Sequence, residues 1–168
     1  GSTIASNLKH EHKVTGLRRS IQAASGGMQT IHADVTQPST LNQLETLNPN
    51  IVIYCVSADA QTDASYQAQY VTGLKNILAT QANNQALQHV FFISSTRVYG
   101  RTYCQNTQDI LDETTPAIPS DFGGERLLEA ESLLKDMQFN SKQWKSTSMR
   151  LSGIYGNGRL YLASMAKD

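Results

Sequence analysis

Apolar runs and amphipathic stretches alternate along the chain, and this pattern predicts alternating strands and helices. Residues 51–58 and 89–94 are short, continuously apolar runs, which is typical of strands buried on both faces of a parallel sheet. Weaker strands are predicted at residues 12–17, 28–33 and 146–151. Together they favour an α/β fold with a parallel sheet.

Helical periodicity fills the intervals between these strands. Residues 3–9 resemble the end of a helix, and residues 38–47 a short one with Pro38 in its first turn. Two longer amphipathic helices are predicted to begin near Gln61 and Gly124. We expect Phe139 and Trp144 to pack the second of these onto the sheet. A chain of 168 residues suits a single domain, residues 1–168.

The carboxyl ends of the predicted strands carry polar or small residues. In open parallel sheets, ligands bind beyond these ends. The residues at the ends are Arg18 and Arg19, Asp34 and Val35, Ser57 and Ala58, Ser94 to Thr96, and Ser152 and Gly153. The sequence therefore predicts a pocket for a polar ligand.

Composition excludes several other classes of function. Fourteen basic residues balance fourteen acidic ones, so no net charge attracts nucleic acid or anionic lipid. No apolar run approaches the roughly 20 residues that cross a bilayer, and no signal peptide is visible. Cys55 and Cys104 form no CxxC pair, which indicates reduced thiols in a cytoplasmic protein. The four histidines lack metal-ligand spacing, so no metal site is predicted.

Four segments, in this order and spacing, resemble the extended short-chain dehydrogenases, the NAD-dependent epimerase/dehydratase family. They read IHADVTQPSTL, VFFISSTRVYG, DETTPAIPSDFGGERLLEAE and MRLSGIYGNGR. With its GLRR second strand, the chain is most similar to a subgroup named only for an inferred nucleoside-diphosphate-sugar epimerase activity. The resemblance implies a Rossmann-type doubly wound parallel sheet in three α/β/α layers. It also implies an oxidoreductase or epimerase acting on a nucleotide-sugar-like substrate.

The family opens with a strand and a GxGxxG turn that holds the cofactor pyrophosphate. Aligning the second strand places Gly1 at the third glycine of that turn. We therefore expect the first strand and most of the C-terminal substrate lobe to lie outside these 168 residues. The alternative is that Gly1 and Ser2 are a remnant of cloning.

Arg18 and Arg19 stand where NAD-preferring Rossmann proteins carry an acidic residue. A guanidinium can pair with a 2′-phosphate, so we predict NADP(H) as the preferred cofactor, with NAD(H) as the alternative. The other interpretation is two arginines that solvate a strand end.

The resemblance assigns further cofactor contacts along the strand ends. Asp34 and Val35 match the adenine-binding pair, although Asp34 also suits a turn or a helix cap. Cofactor contacts are likewise assigned to Ser57, Ala58, Ser94, Gly153 and Tyr155.

The family's catalytic set is a Ser/Thr, a tyrosine and a lysine four residues later. Ser95 matches the hydroxyl position, with Thr96 as its neighbour, although Ser95 also suits a strand-exit cap. Phe122 occupies the tyrosine position and Arg126 the lysine position. Phenylalanine has no exchangeable proton, and arginine has too high a pKa for a proton relay.

Substitute groups leave two functions open. Tyr99 and Tyr103 are candidate proton carriers, and Asp112 and Glu113 suit either loop ordering or catalysis. One hypothesis is an active oxidoreductase or epimerase with such a carrier. The alternative is a catalytically degenerate NADP(H)-binding regulatory or scaffold protein. The resemblance also implies a homodimer that pairs through a bundle of the two amphipathic helices.

Overall fold

A computed structural model describes residues 2–20, 28–100, 110–141 and 143–154 of the chain. These ranges hold five strands, with α-helices before the first strand, between the third and fourth, and between the fourth and fifth. The strands are β1 (Thr15–Arg18), β2 (Gln29–His32), β3 (Ile51–Tyr54), β4 (His89–Ser95) and β5 (Lys145–Leu151). The helices are α1 (Ser2–Leu8), α2 (Asp63–Tyr66), α3 (Gly73–Thr80) and α4 (Phe122–Ser141), with a π-helical segment (Gln67–Thr72) joining α2 to α3. The predicted α/β fold is confirmed.

One predicted helix differs in type. Residues 38–47 form two 3₁₀ turns, Pro38–Thr40 and Asn42–Thr46, instead of an α-helix. The hydroxyls of Thr40 and Thr46 each donate to a carbonyl three residues earlier, at 2.8 and 3.1 Å. Hydroxyls that bond the local backbone compete with the α-helical ladder.

All strand pairs are parallel and fall into two sheets. β1 pairs with β2, while β4 lies between β3 and β5. Between the edges of β1 and β3 lies a groove of about 770 Å³, whose lining includes Leu8, Leu17 and Ile53. We call it the inter-sheet groove.

The groove corrects one expectation from the sequence. Residues 51–58 were expected to form a strand buried on both faces, but Ile51 and Ile53 are 51% and 38% exposed. Both side chains line the groove, so the described residues leave this side of β3 partly uncovered. Cys55, in the same apolar run, is also exposed.

The core lies between the three-stranded sheet and the helices α3 and α4. Its fully buried side chains include Leu74, Val90, Phe92 and Leu134. Trp144 packs against this core as predicted, but Phe139 is 74% exposed. Phe139 follows Leu134 by five residues, which turns it about 140° away from the buried stripe of α4.

Two contacts from the strands fix the helix that follows β3. The Tyr54 hydroxyl donates to the carbonyl of Gln69 in the π-helical segment, at 2.5 Å. A carbonyl engaged by a side chain does not need a partner in the helical ladder, which is consistent with a local π-bulge. Gly73 lies against Tyr54 and Val35, and a methyl group there would overlap both side chains.

In the parts of the chain that the structure describes, no helix is both long enough and apolar enough to cross a membrane.

Candidate functional site

Polar residues from β1 and β3 meet at one end of the inter-sheet groove. Arg18 ends β1 and Arg19 follows it, and Ser57 comes after β3. All three line the groove, as does Val35 after β2. The structure thus brings four of the predicted cofactor residues to one opening, which we call the groove mouth.

Arg19 is bound at the groove mouth by a carboxylate. Its Nη1 and Nη2 donate to Oδ2 and Oδ1 of Asp59 at 2.6 and 2.5 Å, and both side chains are about half exposed. The hydrogen bond raises the pKa of Arg19 and lowers that of Asp59. By contrast, the described residues give the Arg18 guanidinium no hydrogen bond or ion pair.

Asp34 forms a turn after β2. Its Oδ1 accepts from the backbone N–H and the hydroxyl of Thr36, both at 2.8 Å, and the described contacts of its carboxylate do not use Oδ2. The negative charge of Asp34 also contributes to the raised pKa of Arg19. Asp34 therefore serves a turn, one of its two predicted roles.

Ser94 and Ser95 at the end of β4 have different environments. Ser94 is buried and its hydroxyl donates to Glu131 at 2.6 Å, so its proton is engaged within the fold. Ser95 is half-buried, and its hydroxyl accepts the N–H of Arg97 at 3.2 Å. This bond caps the 3₁₀ turn Thr96–Tyr99, in which Thr96 is half-buried.

Phe122 belongs to a cluster of Tyr66, Arg97, Asp121 and Phe122, which we call the aromatic–guanidinium cluster. Its ring meets Tyr66 edge to face, with centroids 5.4 Å apart. The Arg97 guanidinium carbon lies 5.2 Å from the Tyr66 centroid and 5.5 Å from that of Phe122. Arg97 also donates to the Tyr66 hydroxyl and to Asp121, each at 2.8 Å. The side chain at the predicted tyrosine position is thus packed on a cation.

The start of α4 is built to receive Arg97. Asp121 Oδ1 accepts the N–H of Gly124 at 2.9 Å and so caps the helix. Burial opposes ionisation of Asp121, but the bonds from Gly124 and Arg97 prevail and lower its pKa. A methyl group at Gly123 would overlap the guanidinium, and one at Gly124 would crowd the Arg97 carbonyl at 2.7 Å.

Arg126, at the predicted lysine position, is held by two carboxylates. It donates from Nε and Nη2 to Asp63 at 2.6 and 2.9 Å and from Nη1 to Glu129 at 2.7 Å. The hydrogen bond to Arg126 lowers the pKa of Asp63. These bonds join the start of α2 to α4 and use three of the guanidinium N–H groups of Arg126.

Tyr99 is held within the fold. Its hydroxyl donates to the carbonyl of Asp112 at 3.0 Å and accepts from Arg150 at 3.0 Å, and the residue is 5% exposed. The Asp112 carboxylate accepts from Thr114 and Thr115, which supports the loop-ordering interpretation of this residue.

Several positions were not identified from the sequence. Asp59 follows the strand-end pair Ser57–Ala58 by one residue, and its charge beside that pair was the available signal. Arg97 lies inside the SSTRVYG segment, but its partners Tyr66 and Asp121 are 31 and 24 residues away. That separation leaves no local pattern to read.

Some predicted positions lie outside the described residues, namely Gly1, Tyr103, Cys104 and Tyr155. Gly153 is described and exposed, with open space where a side chain would stand. Within the described ranges, no group of three or more His, Cys, Asp or Glu residues could hold a metal ion.

Comparisons with known proteins agree with this architecture. A 46% identical protein of Methylobacillus flagellatus, named for an inferred NAD-dependent epimerase/dehydratase activity, matches 97% of this chain and 54% of its own, with a TM-score of 0.75. The UDP-Glc/GlcNAc 4-epimerase of Campylobacter jejuni is 18% identical and matches 89% of this chain and 48% of its own, at 0.73. The UDP-glucose 4-epimerase of Thermus thermophilus, in complex with NAD, is also 18% identical and matches 89% and 50%, at 0.72.

The chain thus spans about half the length of each of these structures. A search of curated proteins found no significant match. The sequence model of the NAD dependent epimerase/dehydratase family matches residues 1–166. With its parallel Rossmann-type strands and polar groove mouth, this chain belongs to the NAD-dependent epimerase/dehydratase family.

Proposed function

We propose that the protein binds a nicotinamide dinucleotide at the groove mouth and prefers NADP(H) to NAD(H). The donors there fit such a ligand. Arg18 and Arg19 line the groove, and each guanidinium carries about five N–H donors. The carboxylate of Asp34, whose charge acts on Arg19, follows β2. A 2′-phosphate needs cationic donors, while an adenine amine needs an acceptor.

Every predicted cofactor residue except Ser94 then has a role. Arg18 and Arg19 would hold the 2′-phosphate, Asp34 and Val35 the adenine, and Ser57 and Ala58 the ribose. Gly153 and Tyr155 would flank the nicotinamide, and Gly1 the pyrophosphate. When bound, the dinucleotide supplies hydride transfer, and these residues only bind and orient it.

We further propose that the protein is a binding member of its family, regulatory or scaffolding, without the Tyr–Lys proton relay. The observation that supports this most is the packing of Phe122 on Tyr66 and Arg97. A phenyl ring cannot carry a proton, and Arg126 beside it is committed to Asp63 and Glu129. Both positions therefore have structural partners that do not depend on a substrate.

Restoring the two residues tests this proposal. Full-length wild type and the Phe122→Tyr/Arg126→Lys variant would be assayed for NADPH turnover on a panel of nucleotide sugars and other carbonyl substrates. We expect no turnover by either, because the surrounding pocket has adapted to other residues. A large gain of activity in the variant would instead show a catalytic pocket that is otherwise intact.

The enzyme remains the second candidate, and the Tyr66 hydroxyl is the observation that favours it. It lies in the aromatic–guanidinium cluster, 2.8 Å from Arg97 Nη1. Under this second hypothesis, the protein is an oxidoreductase or epimerase that acts on a nucleotide-sugar-like substrate. Ser95 and Thr96 would orient the substrate oxygen. Wild-type turnover that falls at least tenfold in Ser95→Ala and in Tyr66→Phe would support it.

The unpaired edges of β1 and β3 support a proposal about the sheet. Exposed strand edges invite pairing, and these two face the same groove. We propose that one further parallel strand lies between them and makes the sheet continuous.

Two further expectations stay predictions. They are the pairing of two copies through the helices around α2–α3 and α4, and a cytoplasmic location.

A further inference from the structure

We infer that Asp59 weakens the preference of this site for 2′-phosphorylated cofactors by competing with the phosphate for Arg19. This inference rests on the proposed binding of NADP(H) at the groove mouth. It assigns a specificity role to a residue outside the strand-end set.

The Arg19–Asp59 pair crosses the groove mouth. Arg19 follows β1, and Asp59 lies five residues after the end of β3, the two strands whose edges border the groove. The guanidinium donates two parallel hydrogen bonds to the carboxylate, at 2.6 and 2.5 Å. The ion pair therefore links the ends of β1 and β3 across the groove mouth. Ligands of parallel sheets bind beyond such strand ends.

Asp59 is the fixed partner of the two. Its backbone N–H donates to the Ser65 hydroxyl at 3.0 Å, and the next N–H, of Ala60, donates to the same oxygen at 3.1 Å. Its Oδ2 also accepts from Gln69, a residue 5% exposed, at 3.0 Å. Arg19, on a long flexible side chain that is 49% exposed, is the partner that can move.

The geometry sets up a direct competition. A guanidinium binds a carboxylate and a phosphate through the same planar pair of N–H groups, so Arg19 cannot serve Asp59 and a 2′-phosphate through that pair at once. The Asp59 charge also repels a phosphate placed nearby. A cofactor with a 2′-hydroxyl does not need Arg19 and avoids both costs. Arg18, with no partner among the described residues, still favours the phosphate.

Calorimetry of full-length wild type, Asp59→Asn and Asp59→Ala tests the inference. The probes are NADPH, NADH and adenosine 2′,5′-bisphosphate. Asparagine keeps an acceptor for Gln69 and removes only the charge, and the second variant removes both. Asp136→Asn, at an exposed position of α4, makes the same change of net charge away from the mouth and is the matched control.

We expect Asp59→Asn and Asp59→Ala to bind NADPH and the bisphosphate about three- to fivefold more tightly than wild type, as for release of a half-exposed ion pair. NADH and the Asp136→Asn control should change less than twofold. Unchanged or weaker NADPH binding by both Asp59 variants overturns the inference while leaving the proposed function intact, as does an equal gain for NADH. Absence of binding by every protein overturns the proposed function and this inference with it.

Discussion

The Arg150 guanidinium donates from Nη2 to the Glu131 carboxylate at 2.7 Å. Glu131 is 8% exposed and also accepts the Ser94 hydroxyl at 2.6 Å. The guanidinium further donates to Tyr99. One ion pair thus ties β4, β5 and α4 together and anchors the turn that carries Thr96.

Breaking this pair should destabilise the fold. Arg150→Met leaves a buried carboxylate without its cation, and we expect a loss of about 3 kcal/mol in the free energy of unfolding. Glu131→Leu/Arg150→Met removes both charges and should recover at least half of that loss. Urea denaturation measures both. A single variant as stable as wild type would contradict the assigned role.

The two glycines at the start of α4 should differ in their response to a methyl group. Gly124→Ala crowds the Arg97 carbonyl, a backbone atom, whereas Gly123→Ala meets the movable end of the Arg97 side chain. We expect Gly124→Ala to lose about 1–3 kcal/mol and Gly123→Ala less. Gly153→Ala, which meets open space, is the control. Thermal unfolding gives the order, and equal effects for all three would refute the close packing.

Asp121 should stabilise α4 in a pH-dependent way. Its pKa is lowered in the folded state, so its contribution is present above the unfolded value of about 4 and is lost as pH falls through the lower folded value. Asp121→Ala should therefore cost about 1 kcal/mol at pH 7 and almost nothing near pH 2.

Asp121→Asn separates the charge from the cap, because asparagine also caps helices well. Its deficit relative to wild type should be smaller and should vanish over the same acidic range. Urea denaturation at a series of pH values provides the comparison. A deficit that persists unchanged in acid would mean that the carboxylate charge contributes nothing.

Removing either arginine at the groove mouth should reduce the preference for NADP(H). We expect Arg18→Ala and Arg19→Ala each to weaken NADPH binding about tenfold, since a charge-assisted hydrogen bond contributes about 1.5–3 kcal/mol, and to change NADH binding little. Lys135→Ala, which removes a positive charge at an exposed position on α4, is the control. Equal losses for both cofactors would contradict a 2′-phosphate contact.

The sequence predicted the elements better than it predicted their surroundings. Apolar runs located β3 and β4 because a buried strand must be apolar along its length. The same run could not show that Ile51 and Ile53 border a groove, since that depends on which strand lies beside β3. Phe139 illustrates a similar limit. Its hydrophobicity favours burial, but its angular position on α4 places it away from the buried stripe.

The candidate site was predictable where its residues follow a strand, as Arg19 and Asp34 do. It was not predictable where a side chain takes its partner from a distant element. Arg126 was placed by its spacing from Phe122, but its bonds to Asp63 span 63 residues. Such contacts depend on how α2 and α4 pack, which no local spacing encodes.

The most direct test of the account is a calorimetric titration of the full-length wild-type protein with NADPH and, separately, with NADH. We predict saturable binding of NADPH that is several-fold tighter than that of NADH, because two arginines and no acidic residue stand at the end of β1. Failure to bind either dinucleotide, or tighter binding of NADH, would contradict the account.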